Sequence, residues 1–121
     1  NKLKMSTGKC ILLVSSLSTD PIQVVNTRRL QDAIESKKLL YETIDGSMAE
    51  SKDQRDRLFS KSTIRKYPQC FIENDGGELE YVGIWDDIES LLDSDSLPAD
   101  VLAAHPEIKT FTKVFERVRK A

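Results

Sequence analysis

The chain has 121 residues, 39% hydrophobic and 31% charged, with a formal net charge of −2. That length suits one domain with a single core, and the slightly acidic balance gives no general attraction to nucleic acid or to an anionic membrane. No apolar run approaches the roughly 20 residues that span a bilayer and no signal-peptide pattern is present, so the expected location is cytoplasmic, with reduced thiols.

Residues 1–9 are polar and are expected to form a flexible N-terminal segment, with Met5 a candidate start. Cys10-Ile11-Leu12-Leu13-Val14 is a continuous apolar run too short for a helix, and it predicts a central strand buried on both faces. Ser15-Ser16-Leu17-Ser18-Thr19 follows as a loop. Asp20 then stands at the N-cap of a helix, with Pro21 as its first residue and Gln23 as the reciprocal partner three positions on. Ile22, Val25, Leu30, Ala33 and Ile34 are expected to face the core, leaving Arg28, Arg29, Asp32 and Glu35 outside. Leu39 to Ile44 is the second predicted strand, stopped by Asp45-Gly46. Strand, helix and strand in this order predict a right-handed parallel crossover. Lys52 to Ser62 predicts a second helix anchored by Leu58 and Phe59.

Cys70-Phe71-Ile72, directly after Tyr67-Pro68-Gln69, predicts a third strand. Asn74-Asp75-Gly76-Gly77 is a turn signal, Leu79 to Val82 the returning strand, and Gly83 breaks the run. A third helix follows, capped by Asp86 or Asp87, with Asp86 and Glu89 as a capping box and Ile88, Leu91 and Leu92 on its apolar side. From Glu73 to Asp100 there is no Lys or Arg, which fits a solvated acidic face or a docking surface for a basic partner. Pro98 opens a short helical piece, and Pro106 starts a predicted helix to Lys120. Ile108, Phe111, Phe115 and Val118 recur at 3-4-3 spacing along it, with Lys113 on the basic side. Such a stripe packs on its own domain or binds a partner. The two cysteines, Cys10 and Cys70, make no CxxC, and with one histidine, His105, no metal cluster is expected. Both sit in apolar strand-like runs, where a buried inert thiol is expected.

Proline, strand, hairpin, strand, glycine and acid-capped helix, in that order, resemble the C-terminal half of a glutaredoxin. The resemblance covers residues 10–94 and leaves 95–121 as a C-terminal helical extension. It implies an α/β, thioredoxin-like fold: a four-stranded mixed sheet flanked by helices, with an extra C-terminal helix. In that family the redox CxxC opens the first helix, whose N-terminus lowers the thiol pKa. The matching segment here is Thr19-Asp20-Pro21-Ile22, with no cysteine within reach. A hydroxyl cannot replace a thiolate in disulfide exchange, so oxidoreductase activity is not expected and no residue is assigned as catalytic.

A closer similarity is to the small SH3-domain-binding glutamic-acid-rich protein family, which is glutaredoxin-like without the active-site cysteines. The Ser-rich loop Ser15–Thr19, Pro68-Gln69-Cys70-Phe71 and Gly83-Ile84-Trp85-Asp86 carry it, whereas the proline-rich motif and glutamate-rich tail of that family are not recognisable. The resemblance implies a non-catalytic protein-binding or adaptor module, without a cofactor, that takes a protein or peptide partner in a groove. Pro68 would be cis, Tyr67 would offer its backbone to the ligand, and Ser16, Ser18, Thr19, Trp85, Asp86 and Asp87 would line the site, with Trp85 exposed. Glutathione would bind weakly at most, because Ile84 replaces a glycine and Ser16 a basic residue. Two other readings are a glutathione-binding or weak redox protein using Cys70, and a structural domain that self-associates, as a homodimer, through Phe111 and Phe115.

Overall fold

The computed structural model describes residues 8–121; most of the N-terminal segment 1–9 therefore lies outside the described residues. Strand β1, Lys9–Val14, buries five successive side chains from Cys10 to Val14, because it runs through the middle of the sheet with helices on both faces. It pairs in parallel with β2, Tyr41–Asp45, and antiparallel with β3, Gln69–Glu73. β3 pairs antiparallel with β4, Leu79–Ile84, giving a four-stranded open mixed sheet in the order β2-β1-β3-β4.

The two-residue period of the strands sorts the core into two layers. Cys10, Leu12, Val14, Cys70 and Ile72 point to one side, where Leu30 and Ile34 of helix α1 (Pro21–Ser36) and Trp85 and Ile88 of α3 (Trp85–Asp95) cover them. Ile11, Leu13, Ile44 and Phe71 point to the other, against Leu58 and Phe59 of α2 (Lys52–Ser62). A short 3-10 turn at Ala49–Ser51 leads into α2. The α2 bounds coincide with the predicted ones.

Three expectations need correction. In α1, Leu30 and Ile34 are buried, but Ile22 and Val25 are exposed, Ile22 at 69%. Only the second half of α1 lies over the core, so the apolar residues of its first two turns face solvent. The second strand starts at Tyr41, not Leu39: Leu39 bridges Lys120 of the C-terminal segment, and Leu40 is shared, its amide donating to Arg119 O at 2.6 Å while its carbonyl accepts from the Cys10 amide of β1 at 3.1 Å. That same segment corrects the third expectation.

The helix expected from Pro106 to Lys120 is a single turn, α5 at Phe111–Val114, preceded by α4 at Ala99–Ala104. Thr110 caps α5 by accepting from the Lys113 amide at 3.1 Å. Beyond it the chain leaves helical geometry to bond across the sheet end. Gly8 N donates to Arg117 O at 2.9 Å, Arg119 N to Gly8 O at 2.8 Å, and Ala121 N to Lys38 O at 2.7 Å. These bonds satisfy main-chain groups at the starts of two strands, which a continuing helix would leave open. Phe111, Phe115 and Val118 are all buried in the same cluster as β1, with the two phenyl rings stacked at 4.1 Å. Three of the four stripe residues therefore belong to the core, whereas Ile108 is only half-buried. Among the described residues no helix is long and apolar enough to cross a membrane.

Candidate functional site

The carboxyl ends of the parallel strands of an open α/β sheet are where connecting loops leave a crevice, and here three elements meet there. The first turns of α1 contribute Asp20, Ile22, Gln23 and Asn26. The loop before β3 contributes Lys66, Tyr67 and Pro68, and the start of α3 contributes Ile84, Trp85 and Asp86. They enclose a groove of about 280 Å³.

Each wall is held by local bonds. Asp20 Oδ1 accepts from the Ile22 amide at 2.9 Å and caps α1 with Pro21 as its first residue. The expected reciprocal bond from Gln23 is absent; Gln23 Oε1 accepts instead from Ser18 Oγ at 2.7 Å, and Ser18 Oγ accepts from the Asp20 amide. Ser18 thus ties the loop to the helix it precedes. Ser16 turns the other way: its amide donates to Asp45 Oδ1 at 3.1 Å and its hydroxyl meets Ser47 Oγ. Ser47 adds two further bonds to the same Asp45 oxygen. Partial burial opposes ionisation of Asp45, but the bonds from Ser16 and Ser47 outweigh it and hold the carboxyl at about 2. Thr19 is exposed beside the cap.

The Tyr67–Pro68 peptide bond is cis, as the resemblance implied. Pro68 is buried, while the Tyr67 ring leans away over Phe59, 5.7 Å between centroids, and reaches Gly46, where an added Cβ would lie 2.5 Å from the tyrosine hydroxyl. Among the described residues the main chain of Tyr67 makes no hydrogen bond. Gln69, fully buried, organises this loop: Nε2 donates to Ile64 O at 2.7 Å and to Lys66 O at 2.8 Å. In the sequence Gln69 stands only as part of Pro68-Gln69-Cys70-Phe71, with no role of its own. A long polar residue entering an apolar strand was the available signal, since such a group must find partners when buried.

Trp85 departs from its expected exposure. It is 8% exposed and packs in the core cluster with Cys10 and Ile88, so that only part of it reaches the groove. Its indole N–H has no partner among the described residues. The cap of α3 also differs from the expected Asp86–Glu89 box. Asp87 Oδ2 accepts from the Ile84 amide at 3.0 Å, leaving Asp86 exposed at the groove. Gly83 makes this possible: at φ +152° a Cβ would lie 2.4 Å from the Asp87 side chain.

Of the residues read from sequence, Tyr67, Pro68, Trp85 and Asp86 therefore share the groove. Ser18 and Thr19 stand at the entrance to α1, Ser16 faces β2, and Asp87 is spent on capping. Phe111 and Phe115 are core residues, and Lys113 Nζ donates to Ile108 O at 3.0 Å and to Pro106 O within its own segment. Among the described residues no sulfur lines the groove. Cys10 and Cys70 are fully buried in the sheet, and burial pushes the Cys70 thiol well up. No protein-family model matches the chain, and no curated protein matches it.

Proposed function

We propose that the protein is a thioredoxin-like module of the glutaredoxin type that binds an extended segment of a protein partner in the groove between α1, the Tyr67–Pro68 loop and α3. One observation carries the reading. Tyr67, whose main chain makes no hydrogen bond among the described residues, lines the same groove as Ile22, an exposed apolar residue. A free main-chain edge recognises an extended peptide by strand addition, and an adjacent apolar side chain supplies selectivity. Asp20 and Asp86 on the helix starts, with Lys66 opposite on the loop, give the rim charges of both signs.

The burial of both thiols and the lack of a cysteine at Thr19-Asp20-Pro21-Ile22 favour binding over disulfide turnover. Burial of Phe111 and Phe115 disfavours self-association through that stripe. Selection of a displayed peptide library, followed by ¹⁵N NMR mapping of the selected peptides, tests the reading. The expected shifts fall on residues 20–26, 66–69 and 84–86. Peptides that map elsewhere, or reduction of a glutathione mixed disulfide at enzyme-like rates, would overturn it.

A further inference from the structure

Neither cysteine serves the groove, yet the fold brings the two together. Cys10 stands opposite Ile72 and Cys70 opposite Leu12 in the β1–β3 ladder, so the thiols occupy diagonal positions on one face of adjacent antiparallel strands. Their sulfurs are 3.5 Å apart, and both residues are fully buried. The chain has no other cysteine.

We infer that Cys10 and Cys70 form a reversible intramolecular disulfide, a staple between β1 and β3, when the protein meets a peroxide. Bond formation brings the sulfurs from 3.5 Å to about 2.0 Å, and because diagonal neighbours stand roughly 7–8 Å apart, the closure requires β1 and β3 to shift toward each other as the bond forms. In the first step one sulfur takes an oxygen from the peroxide, giving a sulfenic acid and one water when the oxidant is hydrogen peroxide. In the second, the other sulfur attacks the sulfenic sulfur. The S–O bond breaks as the S–S bond forms, and the departing oxygen leaves as water with the thiol proton. Two thiols lose two electrons and the peroxide gains them.

Burial makes the pair unreactive in the closed structure, so reaction belongs to local opening. The C-terminal segment is the element placed to open. Phe115 and Val118 share the sulfurs' cluster, and the segment that follows is held by main-chain bonds at Gly8, Lys38 and Leu40. The staple would act on the groove from beneath. Leu13 pairs with Gln69, next to Pro68, so the bond would fix the loop after β1 against the loop before β3. This inference does not depend on what the groove binds.

The test uses the reduced full chain. It is incubated with hydrogen peroxide, quenched with catalase, unfolded in urea, alkylated with N-ethylmaleimide and weighed intact, while exchange of the amides that tie down the C-terminal segment, those of Gly8, Leu40, Arg119 and Ala121, is followed in parallel. The expected product is a monomer lighter by two hydrogens that takes up no maleimide. It should accumulate as these amides exchange, revert with dithiothreitol and melt at a higher temperature than the reduced protein. Disulfide-linked dimers or sulfinic acid as the main product would overturn the inference. So would two thiols still open to alkylation after these amides have fully exchanged.

Discussion

Gln69 is the residue on which the geometry of the groove depends most directly, and its replacement by Leu is the perturbation to make. The change keeps most of the buried volume and removes the amide. Two bonds of 2.7 and 2.8 Å to the carbonyls of Ile64 and Lys66 are lost, each worth about 1 kcal/mol net. Against that, Gln69 Oε1 is buried without a protein partner, and deleting such a group returns part of its desolvation cost, on the order of 1 kcal/mol. The expected loss of stability is therefore only about 1–2 kcal/mol. The larger effect should fall on residues 64–68, whose carbonyls lose their anchor. Urea unfolding followed by fluorescence of Trp85, the single tryptophan, reads the first quantity, and amide chemical shifts of 64–68 read the second. Gln69→Glu sharpens the test, since a carboxylate at a fully buried site has its pKa raised. Its stability should be highest below the unfolded value of about 4.3 and fall as pH rises above it. A Gln69→Leu protein as stable as the parent, with unmoved shifts at 64–68, would show that Gln69 does not anchor this loop.

Asp45 gives a pH prediction of opposite sign. Its carboxyl is lowered from 3.8 to about 2, so its contribution is present above pH 4 and fades as pH falls toward 2; Asp45→Asn should remove that dependence and cost about 1 kcal/mol after allowance for solvent at a partly exposed group, as acid titrations of stability would show. Phe115→Ala removes half of a buried ring stack and should cost about 3–5 kcal/mol; a melting temperature unchanged from the parent would contradict the core assignment of the C-terminal segment. Gly83→Ala sets a Cβ against Asp87 at a positive φ and should cost about 2 kcal/mol or more by strain and loss of the α3 cap, visible in the same denaturant assay.

The readable parts of this chain were those in which local pattern and tertiary need agree. The unbroken run Cys10–Val14 reads as a doubly covered strand because no polar residue interrupts it, and Leu58 and Phe59 suffice to place α2. The C-terminal segment misled because its 3-4-3 spacing is also compatible with a helical turn followed by an extended tail. Phe111, Phe115 and Val118 reach the core either way, and the carbonyls and amides of Gly8, Lys38 and Leu40 decide between them. Nothing local in the sequence announces those partners. Ile22 and Val25 misled for the converse reason: helix periodicity says which residues share a face, not whether the sheet extends beneath it. In the groove, Pro68 and Asp86 were legible from their order along the chain. The burial of Trp85 was not, since its place at the start of α3 puts it over Cys10 only once the sheet has formed.

The most direct test of the binding proposal is a ¹⁵N–¹H titration of the parent and of Ile22→Lys with a library-selected peptide. Ile22 is 69% exposed, so the substitution should leave stability within about 0.5 kcal/mol. A peptide in the groove should shift residues 20–26, 66–69 and 84–86 in the parent and bind the variant at least about tenfold more weakly, a loss on the order of 1.4 kcal/mol. Equal affinity of the two proteins, or shifts that leave Tyr67 and its neighbours unmoved, would contradict the binding proposal.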